Sequence, residues 1–196
     1  ELQKCDLPLS FYAATKKANE NMAHAYSHLF SIPITMFRFF TVYGPWGRPD
    51  MALFKFAKNI LEGKPIEIYN NGEMERDFTF ISDLVKGIYL LIDKNPLTDI
   101  LQKKHIDVDS LSNVAPFRIV NIGNSKPVKL LKLIDLIEKY LNIKSKRKFL
   151  PMQQGDVKKT WSSIKLLKKL TNFEPEVSVD EGVKQFINWF VDFYQN

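Results

Sequence analysis

Apolar and small residues recur at helical spacing along residues 10–30, which predicts an amphipathic helix with one buried face. Pro33 breaks that pattern, and the β-branched and aromatic run to Phe40 predicts a buried strand. Gly44, Pro45, Gly47 and Pro49 crowd the next stretch and predict a loop. Asp50 is placed to cap a helix that runs to about Glu62 and stops at Gly63. Residues 66–69 predict a short strand, 70–72 a tight turn, and 76–80 a second strand. Ser82 or Asp83 then starts a helix carrying Leu84, Ile88, Leu91 and Ile92 on one face.

Residues 95–116 lack periodicity and read as a loop. Residues 117–122 predict a strand, and Pro127 suits the first position of a helix over 128–141. A strand is expected from Phe149, and Ser178 with Glu181 makes a capping box for a last helix. The stripe Phe186, Trp189, Phe190 and Tyr194 on that helix reads as packing. Alternating strands and helices give an α/β fold.

Composition narrows the class. A chain of 196 residues with 45% hydrophobic content can bury a core, in one or two domains. No segment is apolar enough to span a bilayer and no signal peptide is visible, so no membrane partner is expected. The single Cys5 forms no internal disulfide, which suits a reducing cytoplasm. The net charge of +6 suits anionic ligands. Its one compact basic run, Lys144 to Lys148, reads as a solvated connector, and no nucleic-acid module accompanies it. His24, His28 and His105 have no ligand spacing, so no metal is assigned.

Tyr12 and Lys16 stand four apart on the first helix and so share a face. An ammonium beside a phenol favours the phenolate, making a general base for a sugar or alcohol hydroxyl. The competing reading is a solvated, ion-bearing helix face. Further along stand Thr41-Val-Tyr-Gly-Pro-Trp-Gly-Arg-Pro-Asp-Met-Ala52, Gly72-Glu-Met-Glu-Arg-Asp-Phe-Thr-Phe-Ile-Ser-Asp83, Val120-Asn-Ile-Gly-Asn124 and Leu150-Pro-Met-Gln-Gln-Gly-Asp-Val157. In that order and spacing, over nearly the whole chain, they resemble the extended short-chain dehydrogenase/reductase family of nucleotide-sugar epimerases, and within it the branch acting on UDP-glucuronate.

The resemblance implies the C-terminal part of such an enzyme: remaining Rossmann elements plus a mixed α/β substrate-binding domain. Residues 1–48 would hold the catalytic helix and the last part of the Rossmann domain. Residues 49–196 would form the UDP-sugar domain, interleaved with Rossmann elements. The family's Gly-rich pyrophosphate turn and its catalytic Ser or Thr are not in this sequence, so the chain alone is expected to be inactive. Ala13 also stands where the family usually has Gly.

The implied activity is NAD-dependent 4-epimerisation of a UDP-hexuronic acid for polysaccharide or capsule biosynthesis, in a cytoplasmic homodimer. Tyr12 would move the proton, and Lys16 would hold the nicotinamide ribose. Phe39 and Val42 would add cofactor contacts. Arg76 would bind the substrate diphosphate, Asp156 the ribose and Gln153 the diphosphate again. Glu67 and Tyr69 would cradle uracil, and the Met51 and Ala52 backbone would meet an anion. Thr41 and Arg48 would recognise the uronate carboxylate, which a guanidinium matches bidentately. Alternatively Arg48 neutralises Asp50 or Glu62, and Asp77 holds Arg76. A sibling dehydratase, decarboxylase or UDP-glucose 4-epimerase, and a non-catalytic UDP-sugar-binding or structural domain, are the rival readings. The helix face around Ala18, Met22, Ala25 and Leu29 is expected to be exposed.

Overall fold

The computed structural model describes residues 6–97 and 108–194. Helix α1 (Phe11–Phe30) is capped by Ser10, whose Oγ accepts from the Ala13 N–H at 3.2 Å. Strands β1 (Ile34–Phe39) and β2 (Thr41–Tyr43) follow, then α2 (Ala52–Leu61), β3 (Pro65–Ile68) and a 3-10 turn (Tyr69–Gly72). Next come β4 (Glu75–Phe80), α3 (Ile81–Leu91), β5 (Phe117–Ile122) and β6 (Pro127–Lys129). The chain closes with α4 (Leu130–Leu141), β7 (Lys146–Phe149), α5 (Lys165–Thr171) and α6 (Val179–Tyr194). The fold is α/β, as the alternation of elements predicts.

Among the described residues the strands form three small sheets. β1 and β5 run parallel, with Ile34 opposite Phe117 and Phe39 opposite Ile122. β2 and β4 are parallel and β6 joins β4 antiparallel. β3 pairs in parallel with β7. Helices α2, α4 and α6 close over β3 and β4 around the fully buried Ile66, Ile68, Leu133, Ile134, Ile137 and Val183. A second core joins α3 and α5 to β5 through Val120, Ile122, Leu166 and Leu167. The α6 stripe packs as expected: Phe186 and Phe190 are buried, with Trp189 tilted against Phe186 and Tyr194 stacked on Phe190.

Several local expectations are corrected. The first helix buries no full face, since Ser27 alone is fully covered; the exposure of Ala18, Met22, Ala25 and Leu29 is as expected. It rests on the body through its C-terminal half: His24 meets Ser112 at 2.9 Å and His28 Nδ1 meets the Val114 carbonyl at 2.7 Å. Asp50 does not cap α2, because Arg48 takes its carboxylate; Met51 is the uncapped N-cap. Neither Ser82 nor Asp83 caps α3; buried Asp83 instead accepts the backbone N–H groups of Glu176 and Val177. Pro127 begins strand β6 because Val128 and Lys129 pair with Arg76 and Glu75. The basic run is no connector: Lys146, Arg147 and Lys148 form β7 against Pro65, Ile66 and Glu67. The Ser178 cap does form, its Oγ accepting from the Glu181 N–H at 3.1 Å. Cys5 and His105 lie outside the described residues.

Candidate functional site

Strand β2 ends where two adjoining clefts meet. The larger, about 720 Å³, is walled by β2, the start of α2, the end of β3, β4 and the loop before residue 157. It gathers Thr41, Val42, Met51, Ala52, Glu67, Tyr69, Arg76, Gln153 and Asp156. The second, about 610 Å³, is lined by Tyr12, Arg48 and Trp46 over an apolar floor of Phe40, Val42 and Ile81. Val42, Tyr43 and Met51 belong to both. Segments remote in sequence are thus brought together. Lys16 and Phe39 line neither cleft; Lys16 Nζ lies 5.4 Å from the Tyr12 ring centre, and Phe39 is half-exposed at the end of β1.

Arg76 reaches the cleft because strand alternation sends it away from its neighbour Asp77. Its Nη2 donates to Asp156 Oδ1 at 2.7 Å, and Nη1 donates to the carbonyls of Glu75 and Lys158. The expected alternative, an ion pair with Asp77, is not formed. Asp77 is fully buried and accepts from the Asn124, Ser125 and Ser162 N–H groups and from Ser162 Oγ. That hub pins β4 to the loop after β5 and fixes the strand that presents Arg76.

At the far end Tyr69 Oη donates to Glu67 at 3.2 Å, and Lys148 Nζ donates to the other Glu67 oxygen at 3.1 Å. The Lys148 ammonium, then the Tyr69 hydroxyl, hold the Glu67 carboxyl below its ordinary range. Met51 N–H donates to the Arg48 carbonyl at 3.1 Å, so it does not point free into the cleft. Ala52 is the first residue of α2, where no helical turn supplies an N–H partner.

Arg48 grips Asp50 bidentately, at 3.0 and 2.5 Å, and its side chain is 72% exposed. The surface-neutralisation alternative is the arrangement seen. Glu62, the other candidate partner, is taken by Lys64 and Lys58. Burial, then the nearby Asp83 charge, push the Tyr43 phenol well above its ordinary range, so it remains protonated. The loop around Gln153 turns at Gly155, φ +77°, where an added Cβ would sit 3.6 Å from the Leu9 carbonyl beside the Tyr12 helix.

Lys55, Asn59, Lys64, Lys148 and Leu130 also line the larger cleft and were not anticipated. Lys148 gave no local signal, since its place follows from a parallel register across some 80 residues that sets it opposite Glu67. Among the described residues no His, Cys, Asp and Glu group could hold a metal, and no helix is long and apolar enough to cross a membrane.

Comparison with known proteins shows the family. A probable UDP-glucuronate 4-epimerase of Rhizobium meliloti is 50% identical over 195 residues, covering all of this chain and 57% of its own length. An uncharacterized 37.6 kDa protein of Escherichia coli O111:H- is 53% identical, covering 97% of this chain and 57% of its own. The crystal structure of UDP-glucuronic acid 4-epimerase from Bacillus cereus, in complex with UDP-glucuronic acid and NAD, is 33% identical with a TM-score of 0.80. It covers 96% of this chain, which in turn covers 55% of it. The chain therefore spans about half the length of these relatives. Residues 2–102, just over half of the sequence, match a single family description, and the chain belongs to the NAD dependent epimerase/dehydratase family.

Proposed function

We propose that the protein containing this chain is an NAD-dependent UDP-glucuronate 4-epimerase, and that the described residues form its UDP-sugar site and part of its catalytic edge. The observation that carries the reading is the junction of the two clefts. A largely apolar cleft that carries Arg76, Asp156, Glu67 and Tyr69 opens beside the exposed Tyr12 phenol. Such a cleft fits an extended nucleotide diphosphate whose sugar reaches the phenol. Similarity to the Rhizobium and Bacillus proteins supports the same substrate.

In this reading Arg76 binds the diphosphate with Gln153, Asp156 holds the ribose, and the Glu67 backbone with Tyr69 receives uracil. Thr41 and Arg48 face the C6 carboxylate. Tyr12 takes the proton from the sugar 4-hydroxyl and returns it after the sugar has presented its other face. The residues around Tyr12 also fit the nicotinamide end of NAD: an apolar floor of Phe40, Val42 and Ile81 for a flat ring, Phe39 at the strand end, and the Lys16 ammonium for ribose hydroxyls. When bound, NAD supplies reversible hydride exchange at C4. Residues 1–48 contribute the catalytic helix, and 49–196 the substrate domain. A homodimer built on the exposed face of α1 and a place in polysaccharide biosynthesis belong to the same reading.

The test is incubation of the complete protein with UDP-glucuronate, followed by chromatography and mass spectrometry. The expected product is UDP-galacturonate of unchanged mass. A lighter product would mean decarboxylation or dehydration, and no product would remove the enzymatic reading.

A further inference from the structure

Both arginines of the joined clefts already hold a carboxylate, but in different ways. Arg76 keeps two backbone carbonyls besides Asp156, so its guanidinium stays fixed if Asp156 turns away. Arg48 presents its whole fork, Nε and Nη2, to the two oxygens of Asp50. That is the geometry in which a guanidinium receives a ligand carboxylate. Arg48 lines the Tyr12 cleft, Asp50 lines the larger cleft, and the next residue, Met51, lines both. The pair therefore stands where the sugar of a bound UDP-sugar would pass.

We propose that Asp50 is a specificity-determining residue, an internal stand-in for the sugar carboxylate that a uronate displaces from the Arg48 fork. The proposal rests on the UDP-uronate reading of the site. Exchange of one carboxylate for another conserves the charge-assisted pair, so a uronate can open it. A neutral hydroxymethyl group offers no equivalent partner, and the Arg48–Asp50 pair stays closed against UDP-glucose. Lys55, one turn into α2, lines the same cleft and offers the displaced Asp50 a second cation. The Arg48 hydrogen bonds hold the Asp50 carboxyl below its ordinary range, so the competitor is ionised at neutral pH. Asp50 thus weakens absolute uronate affinity while holding the fork in one orientation.

The experiment is titration calorimetry on the complete NAD-loaded protein with UDP-glucuronate and with UDP-glucose. In Asp50→Asn the Kd for UDP-glucuronate should fall about two- to fivefold, the range spanned by exposed ion pairs, with UDP-glucose unchanged. Arg48→Ala should weaken UDP-glucuronate alone, and the Arg48→Ala/Asp50→Asn double variant should match Arg48→Ala, because Asp50 acts only through Arg48. Asp50→Ser covers the case in which an Asn side chain still occupies the fork, and thermal melts confirm folding. Equal effects on both sugars, additive single variants, or no gain in either Asp50 variant overturns the proposal. Because the readout is binding, a wild-type protein that forms UDP-galacturonate while the Asp50 variants change nothing overturns this proposal and leaves the epimerase reading standing.

Discussion

Replacing Asp77 by Asn keeps its shape but removes the charge at the centre of a buried hub. The native carboxylate accepts four hydrogen bonds, one at Oδ1 from Asn124 and three at Oδ2 from Ser125 and Ser162. The amide nitrogen fits best at the Oδ1 position, where it faces the Asn124 N–H as donor against donor. One orphaned buried donor costs about 1–3 kcal/mol, and the remaining three bonds fall from charge-assisted to neutral strength. Relief of the carboxylate's own desolvation offsets part of this. A net loss of about 3 kcal/mol follows. For a chain of this size that lowers Tm by about 6–12 °C. Circular-dichroism melts at matched concentration read the shift, and urea unfolding gives the free energy independently. UDP affinity should fall with it, since Arg76 is the adjacent residue on the same strand. A Tm within about 2 °C of the parent would refute the hub.

Tyr12→Phe in the complete protein should lower turnover by about 10²–10⁴-fold, the usual scale for lost proton transfer, with UDP-glucuronate affinity unchanged by calorimetry. Glu138 is buried, which raises its carboxyl, but hydrogen bonds from Lys144, Ser145 and Arg147 prevail and hold it at about 2. Its contribution is therefore present above the ordinary carboxylate range and is lost as pH falls from about 4.5 towards 2; screening by solvent at Lys144 discounts it to about 1–2 kcal/mol. Urea midpoints across that window should fall in the parent and stay flatter in Glu138→Gln. Gly182→Ala would place a Cβ 2.1 Å from Tyr43 Oη and 2.9 Å from a Phe80 ring carbon, so α6 must shift. A loss of about 1–3 kcal/mol in urea unfolding is expected, and a neutral result would show that the helix moves freely.

The element order was readable because most helices carry 3.6-residue periodicity and most strands end at turn residues. What failed were positions decided by a distant partner. Asp50 and Asp83 look like caps in isolation, but a guanidinium fork and a pair of loop N–H groups take their carboxylates. Lys146 to Lys148 look like a solvated run until β3 supplies the parallel ladder that makes them a strand. In the site, the Arg-Asp-Phe motif pointed to Arg76. Alternation along β4 could have excluded Asp77 as its partner, since neighbouring strand residues face opposite sides. Asp156 as that partner depends on a chain return from 80 residues away and carries no local signal.

The uneven footing of α1 sets a mechanical condition on the chemistry proposed for Tyr12. Among the described residues, the side-chain hydrogen bonds that tie α1 to the body run from Glu20, which Arg38 grips at 2.6 Å, through His24 to His28. Tyr12 projects eight residues before the nearest of them, roughly 12 Å at 1.5 Å per residue. The helix is a cantilever: tilting by about 5° at its root swings the phenol about 1 Å, a displacement large enough to cost about a hundredfold in rate. Near its N-terminal end lies the turn at Gly155, where an added Cβ would sit 3.6 Å from the Leu9 carbonyl and 3.9 Å from Ser10 Cβ, and which leads into Asp156. In the proposed reading, a nucleotide that seats that turn at one end of the site would also steady the phenol at the other.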